Sequence, residues 1–204
     1  AAYIIAWLEL NHFKGVNILN NKIKIIDKKY NGIIQLRNIT DDLDFKNQSI
    51  LMKGSGLIDY LQSIITDSNK KIAVNIKNCS NGILFLPLLY KLKRHIRFLE
   101  LIFDDLENNI NIFQILNDKI FHRIEMKKNQ KNQVKIVLSN NELSDVNKSF
   151  KKIITQNIIQ KNLSKSLNPD ANHWDTISNI ANRTFVPESE ESRNRGAGGG
   201  DAND

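Results

Sequence analysis

The residues best suited by type and spacing to do chemistry stand at the end of the chain, in residues 186–204. Arg193 and Arg195 lie beside Glu190 and Glu191. Two forked cations next to two acids can form ion pairs or grip an anionic group. Pro187, Ser189 and Glu190 suit the opening of a helical turn, where a hydroxyl and an acidic charge meet unpaired backbone N–H groups. Side chains almost vanish over residues 196–200 (GAGGG), and Gly196 and Gly198 let the backbone approach a ligand or a partner surface closely. Asp201, Asn203 and Asp204 add oxygen ligands. Ser189, Glu190, Ser192, Arg193, Arg195, Gly196, Gly198 and Asp201 are therefore the candidate ligand-binding or docking residues. Composition alone reads the same stretch as a frayed, glycine-rich end.

Elsewhere the chemical signals are weaker. The histidines, His12, His95, His122 and His173, are scattered and form no HxH or HExxH pair, so no metal site is expected and no catalytic residue is assigned. His122 alternates with Ile120 and Ile124, the setting of a buried, hydrogen-bonded histidine. Asp41-Asp42 and Asp104-Asp105 follow apparent strands and can serve as acids, although acidic pairs on surface turns are common. Cys79 is the only cysteine, which excludes an internal disulfide and any multi-cysteine metal site; it reads as a small apolar residue at a strand end. Lys53-Gly54-Ser55-Gly56 precedes an apolar helical stretch, and a glycine loop at a helix start can hold an anion. It is not a phosphate-binding Walker loop, because no Gly-Lys-Ser/Thr follows. The cofactor is left open.

Those residues need a framework, and the chain can supply one. Its 204 residues, 41% hydrophobic and 25% charged, suit one globular domain over residues 1–185 with residues 186–204 as an appendage. Its opening at Ala1, without Met and straight into helical sequence, leads us to expect the domain's start upstream. No apolar run approaches the ~20 residues of a bilayer-crossing helix, and no secretory signal is visible, so a cytoplasmic protein with no membrane association is expected. The net charge of +7 is mostly scattered lysine with few neighbouring aromatics, which argues against a nucleic-acid partner.

Periodicity predicts a core helix over residues 1–13, strands over 22–27 (KIKIID) and 32–39, and a loop over 41–48. A helix is expected over 57–65. Residues 71–76 (KIAVNI), a helix over 83–95 containing Pro87, and 97–103 (RFLELIF) make a βαβ unit. In such folds ligands bind beyond the carboxyl ends of the strands, which here means residues 78–82. Residues 104–116 read as a helix, 120–126 and 133–138 as a hairpin, 140–163 as helical, 161–171 as a linker, and 174–185 as a last helix. The fold class is thus α/β or α+β, a single mixed sheet with flanking helices.

The tail also resembles a known signature. Phe185, Val186, Pro187, Ser189, Glu190, Ser192, Arg193, Gly196, Ala197 and Gly198 match, position by position, the C-terminal motif of a bacterial family carrying domain of unknown function 3726. Weaker likenesses lie at residues 6–9 (AWLE), 54–59 and 84–87 (LFLP). The close of the chain is shorter than the family's, which leaves the roles of Asp201 and Asp204 open. The resemblance brings no reaction with it, but implies that the fold uses the tail. Three readings follow: a small-molecule metabolic enzyme, or a subunit of one, with the tail over an anionic-ligand site; a non-catalytic assembly subunit whose tail docks on a partner chain; or a lysine-driven nucleic-acid binder. A homo- or hetero-oligomer is expected.

Overall fold

The computed structural model describes residues 1–26, 43–66, 71–105, 109–126, 133–141, 150 and 152–182. Among the described residues the protein is a single mixed sheet of seven strands with helices packed against one face. In chain order the elements are α1 (Ala2–Leu10), α2 (Gly15–Ile26), β1 (Leu43–Asp44), α3 (Ile50–Thr66), β2 (Ile72–Lys77), a 3₁₀ turn (Gly82–Phe85), α4 (Leu86–Leu92), β3 (Phe98–Asp104), β4 (Asn109–Leu116), β5 (Lys119–Met126), β6 (Gln133–Ser139), β7 (Lys152–Thr155), α5 (Gln156–Leu163) and α6 (Ala171–Asn182). Across the sheet the order is β1-β2-β6-β3-β4-β5-β7. Among the described residues no helix is long and apolar enough to cross a membrane.

β2, α4 and β3 form the expected crossover, and Pro87 sits in the first turn of α4, where its missing N–H costs nothing. β6 runs antiparallel to both β2 and β3, so those two strands point the same way with β6 slotted between them. The hairpin expected over residues 120–138 is therefore not formed. β5 instead pairs with β4 through Asn117 and Asp118, both left-handed (φ 47° and 62°), as a tight two-residue turn requires.

Three helix–strand assignments also change. Residues 22–26 finish helix α2 rather than starting a strand, because Val16, Leu19 and Ile23 already repeat at helical spacing. Residues 109–116 are strand, not helix: NINIFQIL alternates, and each face of a central strand carries apolar residues. The stretch 140–163 holds β7 before α5, whose first turn is capped by Thr155 Oγ1 accepting from the Ile158 N–H. The glycine loop is overturned as well. Ser49 Oγ accepts from the Leu51 N–H and starts α3 early, and the helix runs through Gly54, which lies close against Leu88 of α4. The strand expected over 32–39 and the aspartates 41 and 42 lie outside the described residues.

The core fills the face of the sheet bearing Val74, Ile136, Leu101 and Phe113. Trp7 and Leu8 of α1, Leu57 and Leu61 of α3, and Phe85 and Leu89 of the crossover are at most 1% exposed against it. At roughly 1.5–3 kcal/mol for each large apolar side chain buried, this layer is what holds the sheet and helices together.

Candidate functional site

Because β1, β2 and β3 all run the same way, their carboxyl ends share one edge of the sheet. Ligands in open sheets commonly bind at such an edge. Two loops meet there. Asp44, at the end of β1, accepts from the Lys46 N–H at 2.7 Å and from the Asn78 amide at 2.9 Å, and the Asn47 N–H donates to the Asn78 carbonyl. The Lys46 N–H first, and then the Asn78 amide, hold the Asp44 carboxyl below its ordinary range. Four non-glycine residues in these loops, Lys46, Asn47, Asn78 and Asn81, are left-handed. Backbone of that kind is uncommon outside glycine and collects at functional sites. Lys53 of α3, 8% exposed, brings its ammonium within 5.7 Å of the Phe45 ring. Burial, and then the nearby Lys46 charge, push its pKa down, with Asp44 opposing.

Gly82 joins these loops to β3. A Cβ at that position would fall 2.4 Å from the Phe103 Cβ, so only glycine lets the chain pass so near the strand. Within the second loop Cys79 is buried, and burial pushes its thiol up to about 12. It stays a thiol at neutral pH and is no nucleophile.

Next to Phe103 the edge carries a chain of directed hydrogen bonds. Asp105, after β3, closes a turn by accepting from the Asn109 N–H at 2.8 Å. Its other oxygen accepts from the Asn111 amide at 2.9 Å, and the Asn111 Oδ1 lies 3.0 Å from His122 Nε2. Asn111 is 8% exposed. The direction of the chain follows from chemistry. An ionised carboxylate only accepts, so the Asn111 NH₂ faces Asp105 and its carbonyl faces the ring. His122 must then donate from Nε2, which leaves Nδ1 as the acceptor nitrogen of the neutral imidazole. The ring stacks on Phe113, centroids 4.1 Å apart and planes 4° apart, which fixes its orientation. A histidine with a fixed tautomer and a carboxylate behind it is equipped to accept and return a proton.

The expected site residues fall in different places. Ser189, Glu190, Ser192, Arg193, Arg195, Gly196, Gly198 and Asp201 lie outside the described residues. Residues 78–82 stand at the carboxyl edge, as topology implied. Asp105 and His122, weak signals taken separately, are brought into one chain. Asn111, which links them, gave no signal, because its segment read as helix. His95 is exposed beyond α4, and His173 lies near Asn17 and Asp170 on α6. Among the described residues no group of three or more His, Cys, Asp or Glu side chains is placed to hold a metal ion.

No protein-family model, curated protein or solved structure matches the chain.

Proposed function

We propose that the protein is a small-molecule enzyme, or a subunit of one, that uses His122, on β5 beside Phe113, for proton transfer, with Asp105 supporting it from the carboxyl edge of the sheet. The observation that carries this reading is the Asp105–Asn111–His122 chain, in which a carboxylate fixes the tautomer of a ring stacked in place. The tail completes the proposed site: Arg193 and Arg195 hold an anionic group of the substrate, and Gly196 and Gly198 let the backbone close over it. The likeness of residues 185–198 to the bacterial family motif supports a working tail and assigns it no reaction.

The test is a metabolite screen by thermal shift on the full chain, followed by two variants. Arg193→Gln/Arg195→Gln is expected to abolish the shift while leaving the unliganded melting temperature nearly unchanged. His122→Gln is expected to retain binding and to lose conversion of the ligand found by about 10²–10⁴-fold, the range of general acid–base contributions. Conversion undiminished in His122→Gln overturns the role of the ring, and binding undiminished in the arginine variant overturns the role of the tail. A change of oligomer size on removing residues 186–204 would instead place the tail on a neighbouring subunit.

A further inference from the structure

The other candidate lies at the corner between α1 and α2, one ring contact from His122: Phe13 meets Phe113 edge-on with centroids 5.8 Å apart. A cavity of about 450 Å³ opens there, lined by Glu9, His12, Lys14, Lys165, Ser166 and Leu167 among others. That is the size of a small-metabolite pocket. Its charge is cationic: two lysines face one carboxylate. The Glu9 carboxylate is partly committed, since its Oε2 accepts from the Val16 N–H at 2.9 Å.

The cavity is built rather than incidental. Lys165 donates to Asn162 Oδ1 at 3.0 Å, Asn162 donates to Asn11 Oδ1 at 3.3 Å, and Asn11 donates to the Trp7 carbonyl at 2.9 Å. Asn162 and Asn11 are only 6% and 2% exposed, so two buried amides tie the exposed lysine to the carboxyl end of α1. His12 and Lys14 both hold left-handed backbone (φ 66° and 51°), which is uncommon for lysine. Gly15 allows the corner to close, because a Cβ there would fall 2.3 Å from the Ile5 carbonyl oxygen.

We infer that this cavity binds a small organic anion, its phosphate or carboxylate between Lys14 and Lys165 and its apolar part against Leu10 and Leu167. Lysine meets either head group as a point charge, so the pocket selects charge before shape. The inference goes beyond the reading above and shares no residue with it.

The experiment follows backbone amide shifts of the full chain at constant ionic strength in sodium chloride, with inorganic phosphate, phenyl phosphate and benzoate as probes. Phenyl phosphate or benzoate is expected to shift Lys14, Ser166 and Leu167 saturably and more tightly than inorganic phosphate, and the stronger of the two identifies the head group. Lys14→Asn/Lys165→Gln is expected to raise Kd at least tenfold; asparagine is used because it tolerates the left-handed backbone. Ser166→Glu, on an exposed residue, is expected to do the same by like-charge repulsion, and keeps the test open if the double variant fails to fold. No saturable shift at these residues with any probe, or a Kd unchanged in a folded variant, overturns the inference.

Discussion

Two chains of hydrogen bonds in this protein use the same device for different ends. In one, His122 in the middle of β5 donates to Asn111, and Asn111 donates to Asp105 at the carboxyl edge. At the α1–α2 corner, Lys165 donates to Asn162, Asn162 to Asn11, and Asn11 to the Trp7 carbonyl. Both begin at a group that can carry positive charge and run through buried amides. They differ in their anchor. A carboxylate at the far end fixes a tautomer and supports a proton, whereas a helix-end carbonyl, carrying only the partial charge of the dipole, steadies a cation already fully charged. On the roles proposed for His122 and Lys165, the anchor differs more than the bridging amide does.

Replacing the bridge in each chain with an apolar residue of similar size separates the two. Asn111→Leu removes the amide donor to a carboxylate, and is expected to cost about 2–3 kcal/mol. Asn162→Leu strands only the neutral Asn11 oxygen, since exposed Lys165 can turn to water, and is expected to cost about 1–2 kcal/mol. Urea denaturation measures both. The reverse order would break the comparison, because it would mean that the corner depends more on its bridge than the carboxylate site does.

The tautomer of His122 sharpens the same point without reference to stability. Long-range ¹H–¹⁵N spectra of the neutral ring should show the proton on Nε2 in the native chain, and a mixture of both forms in Asn111→Leu. A ring protonated on Nδ1 in the native chain would show that Asp105 does not govern it.

How much of this was legible in the sequence depended on how local each feature is. β2, α4 and β3 were readable because the apolar pattern of each segment and the placement of Pro87 are local properties. β4 was not, because Leu106, Ile110 and Phe113 fall at helical intervals while NINIFQIL also alternates, and only pairing on both sides favours the strand. α2 failed in the opposite sense, since KIKII alternates locally within a longer helical repeat. The path of β6 back between β2 and β3 is a long-range choice, made by pairing its two edges, that no neighbouring residue announces. The site depends on the same long-range choices. Asp105 and His122 were visible as residue types, but their connection needs Asn111 on a strand and on the same face as Phe113 and His122. The corner cavity joins His12 to Lys165 from opposite ends of the domain, and their spacing in sequence carries no pattern.

The smallest expected effect tests whether the carboxyl edge depends on carboxylate charge in its other loop as well. Asp44→Asn keeps an oxygen to accept from the Lys46 N–H and the Asn78 amide, so it removes charge and little else. The folded pKa of Asp44 lies below its ordinary value of 3.8, so its contribution to stability is fully present above that value and is lost as pH falls through the folded one. The native chain should therefore be slightly the more stable at pH 7, with the difference shrinking below about pH 4 and vanishing under more acid conditions. Urea midpoints for both proteins from pH 7 downward would show the two curves converging. Parallel curves would mean that hydrogen-bond geometry alone, and not the charge of Asp44, holds this loop.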